Sequence, residues 1–397
     1  MLQFPLYFDS HATTPCDPRV VSTMLPFFTE RFGNAASRQH PFGWAAREAV
    51  DQARGQIAAL IGAKVKDIVF TSGATESNNL ALKGMAEALA AKGRHIVTVE
   101  TEHRAVLDPC EWLQQHGCEI TRVGVGGDGL VDVDRVVAAL RPDTILVSVM
   151  AANNEIGVLQ PLEAIGRETH ARGIALHTDA AQAAGKVPID VEALHVDLLS
   201  LTAHKMYGPK GIGALYVRRR GPAAALAPMM HGGGHERGLR SGTLDVPGIV
   251  GFGAAAALCA SEMPAESARL RALRDRLLAG LQQGLPDIRV NGSMDPGCRL
   301  SHNVNVSFGG VEGATLLMSM TDIAVSSGAA CSSASAEPSH VLRALGLPDA
   351  AAKASLRFGL SRFTTEEEVD FVVQRVSAIV TGLRGQRQGD WAKMEAS

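Results

Sequence analysis

Short apolar runs at residues 68–71, 95–99, 144–150, 174–178, 197–201 and 212–217 recur through the first two thirds of the chain, separated by stretches with helical spacing. That alternation predicts a largely parallel sheet with helices on both faces. Helices are predicted over residues 43–61 and 75–91. Further along, Leu270, Leu273, Leu277, Leu278 and Leu281 fall at three- and four-residue intervals and form one apolar stripe. A second, smaller α+β domain is expected to open near residue 261. Its strands are read at residues 304–308 and 355–360, and its last helix at 366–383, after the cap signal Thr364-Thr365. The expected division is a large domain over residues 15–260 and a small one made of 1–14 and 261–397. The polar residues from Gly385 onward are expected to fray.

Composition narrows the classes of function. The chain has 397 residues, of which 46% are hydrophobic, and its 38 basic and 41 acidic side chains leave a formal charge of −3. These are ordinary globular values, and nucleic acid is not an expected partner. The longest nearly unbroken apolar run, residues 248–260, is 13 residues long and too short for a bilayer. No membrane span is expected. The first fifteen residues carry no Lys or Arg, which fits neither a signal nor a transit peptide, and a cytoplasmic protein is expected. Six cysteines without a C-x-x-C pair read as free thiols, with no metal site.

Ligands of open α/β sheets collect beyond the carboxyl ends of the strands, so the residues just after each run carry the chemistry. Ser72-Gly73-Ala74-Thr75 offers a tight turn and a helix start able to take a phosphate, or a plain capping box. Asp179 and Lys205 follow two runs and lie 26 residues apart, room for a helical crossover between neighbouring strands. Alone, they would be a salt bridge. Together with the phosphate cradle they are the three things pyridoxal phosphate asks of a protein: an acid for the ring nitrogen, an amine for the aldehyde, and an anion site. His103 follows another strand and could stack on the ring and shuttle protons. Residues 326–340 hold no Val, Leu, Ile, Met or aromatic residue, so Cys331 near their centre reads as a nucleophile on a mobile loop, with Cys298 as its rival. Arg357, opposite the apolar face of its strand, could clamp a substrate carboxylate or make a surface ion pair. The run Gly124 to Gly129 lacks dinucleotide-loop spacing, and the three glycines between His231 and His235 argue against a helical zinc pair.

The runs ATTP (12–15), TSGATESNN (71–79), TEH (101–103), NNEIG (153–157), HTDAAQ (177–182), AHKMYGPKGIGALY (203–216), HGGGHERGLRSGT (231–243), SSGAACSSAS (326–335) and EPSHVLRALG (337–346) closely resemble cysteine desulfurases of the IscS/NifS type. The resemblance runs from about residue 6 to about 383 and is to the group with a long catalytic loop, within the class V aminotransferase superfamily. It implies a fold-type I pyridoxal 5'-phosphate homodimer with a mainly parallel seven-stranded sheet in the large domain. It also implies that L-cysteine is converted to L-alanine, with the sulfur passing to an enzyme persulfide for iron–sulfur clusters and other thio-cofactors. Lys205 would be the Schiff-base lysine, Asp179 the partner of the pyridine nitrogen, Gln182 the partner of the phenolate oxygen, and His103 the stacking and proton-shuttling residue. Ala74, Thr75, Thr202 and His204 would bind the phosphate, with Thr243 reaching in from the other subunit. Asn154 and Arg357 would hold the substrate carboxylate, and Cys331 would form the persulfide. Ser10-His11 stands where the bacterial housekeeping members commonly carry Tyr-Ser, Thr202-Ala203 replaces Ser-Gly, and Ala329-Ala330 replaces Ser-Ala. The chain ends about where the family's tail continues toward its docking motif for an iron–sulfur scaffold protein. An aminotransferase of the same fold would use the lysine, aspartate and arginine but would have no use for Cys331.

Overall fold

The computed structural model describes residues 2–327 and 337–395, with side chains to residue 386. After β1 (Leu6–Tyr7), the strands β2 (Ile68–Thr71), β3 (His95–Val99), β4 (Glu119–Val123), β5 (Thr144–Ser148), β6 (Ala175–Asp179), β7 (Leu198–Thr202) and β8 (Gly213–Val217) form one seven-stranded sheet. Its order is β2-β8-β7-β6-β5-β3-β4. Pairing is parallel from β7 to β4, and β8 alone runs against both of its neighbours. All six expected strands begin or end within a residue of their predicted bounds, and β2 and β3 coincide with theirs.

The strands are apolar on both faces because both faces are covered. Val97, Val99, Val147, Leu199 and Leu201 enter one core with the helix Pro41–Leu60. Ile96, Ile145, Leu146 and Leu198 enter another with the helices Ala74–Ala88 and Arg104–Gln115. At roughly 25 cal/mol per Å² of apolar surface removed from water, these two layers supply the main stabilisation of the sheet.

A three-stranded antiparallel sheet joins β9 (Ile288–Val290), β10 (Asn303–Phe308) and β12 (Ser355–Gly359), with β10 in the centre, while β11 (Ile323–Ala324) pairs in parallel with β1. Its apolar face, including Val304, Val306, Leu356 and Phe358, packs on Leu270, Leu273, Leu277 and Leu281 and on Val369, Val372 and Val376 of the last helix. One continuous helix, Val246–Gly284, serves both cores, giving Ile249, Phe252 and Cys259 to the first and the leucine stripe to the second. By length and apolar content this helix could cross a membrane, but 56% of the qualifying stretch is buried inside the fold. The last helix, Glu366–Glu395, continues through the polar stretch that was expected to fray.

Between β3 and β5 the strand order reverses: β4 lies to one side of β3, and β5, β6 and β7 step away on the other. Carboxyl ends of parallel strands meet at such a switch point and leave a crevice between the loops that follow them. The small sheet closes one wall of that crevice with β12.

Candidate active site

A cleft of about 500 Å³ opens at this point. It is lined by His103 after β3, Asn154 after β5, Asp179 and Gln182 at the end of β6, Thr202, His204 and Lys205 after β7, and Arg357 from β12. Ala74 and Thr75, at the start of the helix Ala74–Ala88, complete it. Ten of the twelve residues expected at the site therefore meet in one place. Thr243 is exposed and lies outside this cleft. Cys331 lies outside the described residues.

One end of the cleft is made for an anion. Gly73 is the N-cap of the helix Ala74–Ala88 and gives it no side-chain hydrogen bond, so the first backbone N–H groups of this 15-residue helix face the cleft with its positive dipole end. Gly73 has φ of +154°, a backbone conformation that side chains disfavour. Gly213 lets β8 approach this turn: a Cβ there would fall 2.6 Å from the Gly73 Cα. His204 shares a 3.0 Å hydrogen bond with the Thr13 hydroxyl. Burial, with Lys205 and Lys210 nearby, pushes its pKa down to about 4, so the imidazole is neutral near pH 7.

The floor is made for a cation. Asp179 accepts hydrogen bonds from Asn78 Nδ2 at 2.7 Å and from the Ala181 amide at 2.9 Å. Both donors are neutral, so they orient the carboxylate without cancelling its charge. Below it Glu102 is fully buried, accepts one bond from the Met150 amide at 2.6 Å, and has its other carboxyl oxygen without a partner. Burial, and then the charge of Asp179, hold Glu102 well above the usual carboxylate range and therefore neutral. Lys205 sits on the 3₁₀ turn after β7, and its Nζ donates to the carbonyls of His11 and of Ala12, the latter at 2.8 Å. His103 caps the helix Arg104–Gln115, its Nδ1 accepting from the Ala105 amide at 3.1 Å.

The small-sheet wall carries the second charge. Arg357 is 2% exposed; it donates to the Asn154 carbonyl at 2.9 Å and to Asp9 Oδ1 at 2.6 Å. The other Asp9 oxygen accepts from Ser326 Oγ at 2.8 Å. Glu155, next to Asn154, is buried and accepts from Ser339 Oγ. Asp9, Asn78, Glu102 and Glu155 were not singled out in the sequence, and His11 only as part of a departure from the family's usual pair, although each lies in or beside a motif that was.

The donor set fits pyridoxal phosphate: an uncapped helix terminus with Thr75, Thr202 and His204 for phosphate, an uncancelled carboxylate for a protonated ring nitrogen, and an amine between them. The family model described as Aminotransferase class-V matches residues 6–372. A cysteine desulfurase IscS of Anaeromyxobacter sp. (strain Fw109-5) is 58% identical over 383 residues, 96% of this chain and 94% of that protein. One from Glaesserella parasuis is 55% identical over 385 residues, again 96% and 94%. Among solved structures, a NifS-like protein is similar with a TM-score of 0.88 at 37% identity, covering 96% of this chain and all of that one. SspA in complex with cysteine is similar with a TM-score of 0.79 at 37% identity, covering 91% and 100%.

Proposed function

The chain belongs to the class-V aminotransferases and, within them, to the pyridoxal phosphate-dependent cysteine desulfurases of the IscS/NifS type, and from that premise we propose how its residues divide the work. It acts on L-cysteine and yields L-alanine and sulfur. The observation that carries this assignment is the convergence of Asp179, Lys205, His103 and Arg357 on one cleft at the switch point of the sheet.

Bound pyridoxal phosphate supplies an electron sink that stabilises negative charge at the substrate α-carbon. Ala74, Thr75, Thr202 and His204 hold its phosphate, and Asp179 keeps a proton on its ring nitrogen. Gln182 bonds its ring oxygen. Lys205 anchors it and then takes the α-proton of the substrate, returning it later. Arg357 and Asn154 fix the substrate carboxylate, and His103 moves protons at the reacting end. The Cys331 thiolate attacks the substrate sulfur, and the bond to the β-carbon breaks with its electron pair staying on carbon. Protonation of that carbon gives alanine, and Cys331 keeps the sulfur as a persulfide. Two of the other thiols are poor rivals: burial pushes Cys110 up to about 12 and raises Cys259.

The reading extends to a homodimer in which Thr243 serves the partner's cleft. Leu25, Phe28, Phe32, Phe42 and Trp44 support it, each more than half exposed on one stretch of chain, where a second copy would cover them. It further takes the small sheet with residues 1–14 as a separate domain, places the enzyme in the cytoplasm, and makes an iron–sulfur scaffold protein the sulfur acceptor. The test is mass spectrometry after L-cysteine. One added sulfur is expected on the Cys331 peptide alongside free alanine, and Cys331→Ser should abolish both while Lys205 still binds the cofactor. Alanine formed at the parent rate by Cys331→Ser would refute this division of roles.

A further inference from the structure

His11 is a buried imidazole between the cleft and the small sheet. Its Nδ1 lies 2.9 Å from Gln182 Oε1 and its Nε2 2.9 Å from Asn303 Nδ2, with the ring stacked on His302 at 4.6 Å between centroids. The direction of each bond is forced. Arg299 Nε donates to Asn303 Oδ1 at 3.2 Å, and a guanidinium cannot accept. The amide oxygen of Asn303 therefore faces Arg299, and its nitrogen faces both the Glu155 carbonyl, 3.2 Å away, and His11 Nε2. A nitrogen that receives a hydrogen bond has no proton of its own, so the single ring proton of His11 sits on Nδ1. Burial and the charge of Arg357 favour that neutral ring. Nδ1–H then points at the oxygen of Gln182, whose nitrogen donates to the His11 carbonyl at 2.9 Å. From Arg299 through Asn303 and His11 to Gln182, each bond donates in the same sense.

We propose that His11 is a positioning residue: it locks the amide of Gln182 so that Gln182 presents N–H, and never its carbonyl, to the ring oxygen of the bound cofactor. The proposal rests on the reading of Gln182 given above. A serine at this position could donate or accept through its hydroxyl and would leave the sense of the bond open. Histidine with a pinned tautomer does not. A fixed donor from Gln182 would favour the negatively charged form of the ring oxygen once pyridoxal phosphate is held by Lys205, and would so lower the pH at which the loaded protein gives up a proton at the cofactor.

The loaded protein reports this through the pH at which its long-wavelength absorbance band converts. His11→Ala is expected to raise that pH by about one unit, the equivalent of one hydrogen bond to a charged group. His11→Asn, which can still place an N–H against Gln182, is expected to stay near the parent value. A band in His11→Ala that converts at the parent pH overturns the proposal. If His11→Ala does not fold or load, ¹⁵N shifts of the ring in the parent protein decide: the Nδ1–H tautomer supports the lock, and Nε2–H or a doubly protonated ring overturns it. The ring shifts need no cofactor, so a parent protein that binds no pyridoxal phosphate would refute the functional reading while the tautomer still judged the wiring.

Discussion

Asp179 at the end of β6 and Arg357 in β12 carry opposite charges to two sides of one cleft, and the protein treats them differently. Asp179 is held by two neutral donors, Asn78 and the Ala181 amide, so its charge stays available to whatever cation binds above it. Arg357 already has a carboxylate, Asp9, at 2.6 Å. The large-sheet side is thus preset for a permanent cation, whereas the small-sheet side holds its cation against a resident anion, which under the role proposed for Arg357 a substrate carboxylate would displace. A permanent occupant needs orientation only. A ligand that comes and goes needs its binding group kept neutralised between visits, because an unpaired guanidinium at 2% exposure is costly.

Removing the charge of Asp179 tests the first half of that contrast. Asp179→Asn keeps the side-chain shape, and the expected loss in alanine formation is roughly 10³-fold, comparable to deleting a preorganised group that stabilises charge in the transition state. Steady-state kinetics on protein shown to retain pyridoxal phosphate would measure it. A loss below tenfold would mean that the ring proton is held by another group.

Breaking the ion pair tests the second half. Asp9→Asn leaves Arg357 buried with less compensation, and the folded state should lose about 3 kcal/mol, at the low end for a buried pair because Asp9 is itself 16% exposed. L-Alanine, a carboxylate that carries no sulfur, should then raise the melting temperature more in Asp9→Asn than in the parent, since the ligand relieves a larger penalty. Equal shifts in the two proteins would show that Asp9 and the ligand carboxylate do not compete.

What could be read from the sequence follows the same division. Asp179, Lys205 and His103 were legible because each stands just past a strand whose apolar run announces it. The edge strand β4 was not: Glu119 and Arg122 interrupt it, and only Val123 is buried. The long helix Val246–Gly284 reads as two segments because its buried face passes from one core to the other across the stretch Glu262 to Glu266, which holds Pro264 and no buried residue. The partners that tune the site were also hidden, since each acts over a long chain separation. Asn78 meets Asp179 across 101 positions, His11 meets Gln182 across 171, and Asp9 meets Arg357 across 348. Local periodicity carries no record of such pairs. Arg357 itself was read with a surface ion pair as the alternative to a carboxylate clamp, and the ion pair with Asp9 is present but buried.

A carboxyl in the loop after β5, packed against the small sheet, separates burial from pairing. Glu155 accepts from the Ser339 hydroxyl, and although Arg357 and His103 pull its pKa down, burial outweighs them and lifts it from 4.5 to about 7. The native state therefore prefers this group protonated. Below pH 4.5 the folded and unfolded chains both carry the proton, and Glu155 has no effect on stability. As the pH rises from 4.5 to about 7, the unfolded chain releases the proton first, so stability falls through that window and levels off above it. Glu155→Gln keeps an acceptor for Ser339 and removes the titration. Compared with the parent by urea unfolding, the variant should be equally stable near pH 4.5 and more stable by about 3 kcal/mol at pH 8, since each pKa unit corresponds to about 1.4 kcal/mol. A stability difference that does not change with pH would mean that Arg357 compensates Glu155 as it does Asp9, and the contrast between paired and merely buried carboxyls would fail.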